Sequence, residues 1–265
     1  MLLWTRRSRA VLLGLFGAVV LVVFVAPLAT VVLAGLAGSW TRALPSGLGF
    51  GRVAQAVSGE NLASLSVSLQ TAVVAGGLAL VLGTWAAIAA REAPRWLHRL
   101  TDAVFHLPIA VPSVAIGLGL LIAFNAQPLL LGGTRWIVIL AHAVLVLAFA
   151  FSAVSAALDR LDPAYRQAAE SLGAGSLRVL TRVTLPLLLP ALGAAAGLAV
   201  ALSMGELGAT VMVYPATWKT LPVSIFALTD RGQALQAAAC TTVLLLVTLV
   251  ALLGLGRIRG RAALR

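Results

Sequence analysis

A chain of 265 residues that is 61% hydrophobic and only 10% charged cannot bury its apolar surface in one water-soluble core, because the polar side chains that must cover such a core run out first. Its formal charge of +11 does not mark a nucleic-acid binder, which gathers its cations on one solvated face. Here arginines punctuate long apolar runs, so lipid is the implied solvent and no nucleic acid is expected as a partner.

Charge-free runs cover residues 11–38, 61–90, 103–134, 136–158, 183–205 and 232–256, each longer than the roughly 20 residues that cross a hydrocarbon layer. Backbone groups in lipid must pair within their own segment, and the runs lack the short alternation of barrel strands. The predicted fold class is therefore all-α, a polytopic membrane protein of about six transmembrane helices.

The first run follows Arg6, Arg7 and Arg9. It is about twice as long as the apolar core of an export signal and five more runs follow it, so it is expected to be an uncleaved helix over about 11–37. Prolines enter this run at Pro27 and the third run at Pro108 and Pro112. Each removes a helical hydrogen bond, which a protein-lined or wet cavity tolerates better than lipid does. Pro108 and Pro112 are thus candidates for a translocation pathway in the bundle interior, with a kink used only for packing as the alternative.

Basic residues set the expected orientation. Arg6, Arg7 and Arg9, then Arg91, Arg95 and Arg99, then Arg160, Arg166, Arg178 and Arg182, then Arg257, Arg259, Arg261 and Arg265 share one face, fourteen in all. The other face has five, Arg42, Arg52, Arg135, Lys219 and Arg231. The positive-inside rule then places both termini in the cytoplasm, and the localisation expected is a bacterial inner membrane with lipid as a constant partner.

Between the fourth and fifth runs lies a polar loop, residues 159–186, that reads as two short helices. Asp162 is a suitable N-cap, Pro163 fits the first helical position, and Gly173 can take the left-handed conformation that ends a helix. Tyr165, Ala168, Ala169 and Leu172 fall on one stripe at i, i+3, i+4 and i+7. The alanines allow another surface to approach closely, and Arg166 and Glu170 can pair four residues apart. Ser176 is placed as the cap of a second helix carrying Arg178 and Arg182 until Pro186 opens the fifth span. An amphipathic helix lying in the membrane interface is the competing reading.

With Ala168, Ala169 and Gly173, followed after nine residues by Val183, Leu185 and Pro186, the loop resembles that of binding-protein-dependent ABC importer permeases of type I. Its pattern there is EAA, three residues, Gly, nine residues, I-x-L-P. Gln167 stands where that family usually has Glu, so a salt bridge from that position should be absent or carried by Glu170. Residues 105–120 are similar to the family's third core helix. The resemblance implies a single transmembrane permease domain over 1–265, with core helices at about 65–256, and coupling helices at 163–182 that insert into a groove of an ATPase subunit. It assigns ATPase docking to Tyr165, Gln167, Ala168, Ala169, Glu170, Leu172, Gly173, Arg178, Val183, Leu185 and Pro186. The partners implied are ABC ATPase subunits, a periplasmic or lipid-anchored substrate-binding protein, and a second permease subunit, identical or homologous.

The chain itself carries no engine. Lys219 is its only lysine, and no GxxxxGK[ST] phosphate loop occurs, so it is expected not to be an enzyme and ATP hydrolysis falls to a partner. Cys240, the single cysteine, can form neither an internal disulfide nor a thiolate cage. His98, His106 and His142 are too scattered to propose a metal site; His106 and His142 read as hydrogen-bonded packing residues. No cofactor is expected.

Glu206 is the one acidic residue between long apolar runs. It reads as a substrate or gate contact on the pathway, as half of a structural ion pair, or as a residue near the outer interface. Residues 204–232, with ELGAT followed by TLPVSIF, are similar to permeases for 2-aminoethylphosphonate, ferric iron and thiamine. The resemblance therefore points to import of 2-aminoethylphosphonate or a related phosphonate, with the other small solutes as alternatives. Two rival classes are an ion-coupled secondary carrier, which needs midplane coupling groups and repeats that are not visible, and a non-transporting scaffold that docks a partner through the same loop.

Overall fold

The computed structural model describes residues 6–41 and 43–262, with side chains described from Ser8 to Gly256 apart from Arg42. Arg42 and Arg265 of the charge count lie outside the described residues. The chain forms two compact units, residues 1–62 with 224–245 and residues 63–223 with 246–265.

In the first unit, α1 (Arg6–Val20) continues through a π-turn at Leu21–Val25 into α2 (Ala26–Leu36). Together Ser8–Leu36 make one apolar helix long enough to span a membrane, with none of its most apolar stretch covered by protein. Pro27 interrupts nothing here. The Ala26 amide bonds back to the Leu21 carbonyl, and this wider turn takes up the misfit that a proline ring would otherwise impose. A loop then leads to α3 (Gly51–Ala56), whose Arg52 holds the end of α2: its Nε donates to the Ala37 carbonyl at 2.9 Å and its Nη2 to the Gly38 carbonyl at 2.9 Å. Gln236 Nε2 donates to the Arg52 carbonyl at 3.2 Å.

The second unit is built around α7 (Arg135–Asp159), which buries Ile137, Val138, Ala141, His142, Phe151 and Val154 among its neighbours. Against it lies α4 (Gly59–Glu92), whose inner face is all small: Ser68, Ala72, Gly76, Ala79, Gly83 and Ala87. Such a stripe lets helix backbones approach closely, which is how helices associate when lipid offers no hydrophobic drive. A Cβ on Gly83 would sit 2.9 Å from the Phe151 amide nitrogen.

The third run, where Pro108 and Pro112 left a kink open, is broken in two. It forms α5 (Arg95–Ala110) and α6 (Ser113–Ala123), bent by 105° at Val111 and Pro112. Pro112 explains the break, since it forces the residue before it out of the helical region; Val111 is extended at φ −103° and ψ 130°. α6 then packs on α11 (Gly208–Val213), where Gly117 leaves so little room that an added Cβ would lie 2.8 Å from Ala209 Cα. Counting the bent pair as one span gives six among the described residues, with Ala234–Gly256 of α13 (Ala234–Ala262) as the last.

The fifth span also begins earlier than expected. After α8 (Pro163–Ser171), the short α9 (Ser176–Val179) runs through a π-turn at Leu180–Thr184 into α10 (Leu185–Met204) without interruption. The separate second loop helix ending at Pro186 is therefore corrected. As at Pro27, an amide bonds five residues back, Leu185 to Leu180, just ahead of the proline. Ser176 is likewise not the cap: Gly175 holds that position, with no side-chain bond to it. The remaining described helix is α12 (Leu221–Asp230).

Candidate functional site

The loop after α7 is a sharply defined elbow. Asp162 accepts the Ala164 amide at 2.9 Å with Pro163 in the first turn, and at the other end Gly173 stands at φ +79°. Its amide bonds the Glu170 carbonyl at 2.9 Å and the Ala174 amide reaches the Ala169 carbonyl at 3.0 Å, the paired bonds of a Schellman ending that only a left-handed residue closes easily.

α8 presents an uncovered apolar face. Tyr165 is 57% exposed and Leu172 88%, and Leu177 on α9 is 74% exposed. Gln167 and Ala168 are exposed between them, Ala169 is half-buried, and Arg178 is exposed on α9. Val183, Leu185 and Pro186 fall elsewhere, in the π-turn and the start of α10. Thus the predicted residues divide into an outward stripe on α8 and α9 and a group in the helix that carries the elbow into the bundle.

Glu170 turns sideways rather than outward. Arg166 Nε donates to Glu170 Oε1 at 2.8 Å, and Arg166 Nη1 pairs with Glu92 Oε1 at the end of α4. Hydrogen bonds to Glu170 first and Glu92 second, with their negative charge, raise the Arg166 guanidinium above its ordinary value. The bridge thereby ties the elbow to a second helix, over a cavity of about 490 Å³ whose walls include Ile88, Glu92, Leu161, Tyr165, Leu177 and Val183. Glu92 was not singled out in the sequence, where 74 residues separate it from Arg166. All three side chains are about half exposed, so the pairs contribute little stability. Glu92→Gln is expected to leave the protein folded and change uptake by no more than about twofold at physiological salt, which transport assays across a salt series will show.

A half-open cavity of about 210 Å³ brings Pro108, Ile109, His142, Phe149, Ser203 and Glu206 together. Pro112 does not line it and sits at the α5–α6 break instead. Glu206 occupies the short gap between α10 and α11. Its Oε1 accepts the Ala209 amide at 2.8 Å, capping α11. Among the described residues it forms no ion pair, and Oε2 takes part in no hydrogen bond.

His142 stitches this gap to α7. Its Nδ1 meets Ser203 Oγ at 2.7 Å and its Nε2 meets Thr210 Oγ1 at 2.8 Å, with all three side chains buried. The Thr210 hydroxyl donates to the Glu206 carbonyl at 3.3 Å, an arrangement that pairs with the tautomer in which Nε2 carries the ring proton and Nδ1 accepts from Ser203. One imidazole therefore joins the end of α10, the gap and α11. His106 is also hydrogen-bonded, to the Asp102 carbonyl and to Ser152 Oγ of α7. The packing role read for both histidines agrees with these bonds, while the bridging of the gap by His142 had no sequence signal, because its partners lie 61 and 68 residues away.

Five apolar helices long enough to cross a membrane, or six with the bent pair counted as one span among the described residues, define a multi-pass membrane protein. Residues 79–261 match the binding-protein-dependent transport system inner membrane component family, and the chain belongs to that family. It is 44% identical over 261 residues, 98% of each chain, to a Salmonella paratyphi A protein that carries the name 2-aminoethylphosphonate transport system permease protein PhnV. In fold it is similar to a chain of a bacterial alginate ABC transporter in complex with an alginate-bound periplasmic protein, with TM-score 0.73 and 17% identity over 98% of each chain. A chain of the MetNI methionine ABC transporter in an inward-facing conformation aligns at TM-score 0.66 and 17% identity, covering 76% of this chain and 95% of that one.

Proposed function

We propose that this permease imports 2-aminoethylphosphonate or a closely related phosphonate, driven by ATP hydrolysed on a separate subunit. The observation that carries the substrate class is the 44% identity along 98% of both chains to a protein named for that transport; the ELGAT and TLPVSIF segments, residues 206–210 and 220–226, point the same way.

The reading has both termini in the cytoplasm, because fourteen of nineteen basic residues then face inward. The elbow with Tyr165, Gln167, Ala168, Leu172 and Arg178 outermost is the handle gripped by an ABC ATPase, and Val183, Leu185 and Pro186 transmit its movement. The unbroken helix from Ser176 to Met204 supports this route, since a rigid rod carries displacement from the elbow to the gap at Glu206. Pro108, Pro112 and Glu206 belong to the pathway, where the α5–α6 and α10–α11 breaks offer backbone groups that a continuous helix keeps to itself. A second permease subunit completes the pore, and a periplasmic or lipid-anchored binding protein delivers the cargo. The 1–265 chain acts as one permease domain with no catalysis of its own.

The test is uptake into proteoliposomes holding the complete complex, supplied with binding protein and ATP. Labelled 2-aminoethylphosphonate is expected to accumulate only with ATP, and ATPase activity is expected to rise with loaded binding protein. Accumulation without ATP would identify an ion-coupled carrier instead, and ATP-driven uptake of ferric iron or thiamine in preference to the phosphonate would reassign the cargo.

A further inference from the structure

At the end of α4 and α7 remote from Arg91 lies a groove of about 470 Å³ that none of the transport parts above uses. Leu69, Gln70, Val73 and Val74 of α4 form one wall and Arg135, Trp136 and Ile139 of α7 the other, with Trp218 at its mouth. Its lining is almost wholly apolar except at that mouth. There the Arg135 guanidinium stands 4.9 Å from the Trp136 ring and 5.7 Å from the Trp218 ring. Trp218 is itself fixed, because its indole N–H donates to the buried Thr71 hydroxyl at 3.0 Å. No carboxylate among the described residues pairs with Arg135.

Depth places the groove at a membrane boundary. From Arg91 to Gln70 the α4 axis rises about 32 Å at 1.5 Å per residue, close to one hydrocarbon thickness. Arg135 opens α7 at the same level, beside two tryptophans of the kind that gather where headgroups begin. A cation with no carboxylate partner at headgroup depth, above an apolar channel at acyl depth, complements the phosphate and acyl chain of a phospholipid. We infer that the groove is a binding site for an anionic phospholipid, with its phosphate on Arg135 and one acyl chain along Leu69, Val73 and Ile139. Gln70 offers an amide to the ester or glycerol oxygens. A zwitterionic headgroup brings its own cation to compete for the phosphate, whereas an anionic one leaves it to the guanidinium, and Arg suits phosphate through its forked donors.

The complete purified complex, stripped of lipid in detergent, is to be titrated with phosphatidylglycerol, phosphatidylcholine or inorganic phosphate, and bound species counted by native mass spectrometry. The wild type is expected to retain phosphatidylglycerol about fivefold better than phosphatidylcholine, as one interfacial arginine provides. Arg135→Gln should abolish that preference, and Val73→Trp, which fills the channel, should remove bound lipid of either kind, while Arg95→Gln at the opposite end of the span leaves both unchanged. Preference surviving in Arg135→Gln overturns the site. Displacement of lipid by inorganic phosphate alone, or a disulfide between Val73→Cys and a second permease copy, overturns it equally, by showing a free-anion site or a subunit contact there.

Discussion

Gly173→Asp is expected to cut uptake about tenfold while the permease remains in the membrane at its normal level. At φ +79° an L side chain meets its own carbonyl, a strain of roughly 1–2 kcal/mol, and 1.4 kcal/mol is about a factor of ten in an equilibrium. Nothing lies within 4 Å of a Cβ built there, so the effect comes from the backbone and not from a clash. The residue cannot hold both Schellman bonds comfortably, and α8 loses the ending that sets the angle of Tyr165 and Leu172. ATPase activity in the complex should then continue but lose its response to loaded binding protein. Gly173→Ala should show a defect at least as large, because alanine lacks the local hydrogen bonding that eases Asp into the left-handed region; equal and normal uptake in both variants would remove the elbow from the coupling route.

His142→Phe is expected to be the most damaging single change inside the bundle. It keeps the ring but strands the buried Ser203 hydroxyl and leaves Thr210 only its longer bond to the Glu206 carbonyl, and a buried unsatisfied group costs about 1–3 kcal/mol. Thermal unfolding of the purified complex should therefore shift downward and uptake should fall. Adding Ser203→Ala removes the stranded hydroxyl and Thr210→Val the half-satisfied one, and together they should restore most of the unfolding temperature. Uptake should stay low in that triple variant, because the bond from Thr210 to the Glu206 carbonyl is lost with the rest. Recovery of both properties together would mean that His142 only stabilises the fold and does not position the gap.

These two sites differ in how much of them a reader of the sequence can see. The elbow was nearly all visible: Asp162, Pro163 and Gly173 are local signals whose partners lie within a few residues, and the cap and the left-handed glycine stand where such signals place them. The orientation of Glu170 was also legible, since Arg166 is four residues before it, whereas Glu92 arrives from another helix. The histidine bridge was invisible for the same reason. A hydrogen bond between residues more than 60 positions apart leaves no periodicity behind.

The spans were legible as apolar runs because lipid constrains length and charge so strongly, yet their internal geometry was not. Pro112 announces a break, but its 105° angle depends on α6 finding the small surface at Gly117 and Ala209. Pro27 and Pro186 announce breaks that do not occur, because a π-turn before each absorbs the misfit. Proline thus marks a missing hydrogen bond without saying whether the chain bends or merely widens. Glu206 shows the same limit. Its rarity among apolar runs marked it as special, and the three readings left open now narrow: no ion pair is found among the described residues, and its carboxylate caps α11 at the edge of a cavity.

On the function proposed, a nucleotide-hydrolysing subunit takes hold at the exposed stripe on α8. Leu172→Cys in a Cys240→Ser background supplies one thiol at the most exposed point of that stripe, and cross-linking in intact membranes with a short thiol-to-amine reagent reads its neighbour directly. A single adduct with the ATPase subunit, weakened when the complex is trapped in a different nucleotide state, is the expected result. Labelling of that thiol by a membrane-impermeant reagent from the outer aqueous side, with no ATPase adduct, would contradict it.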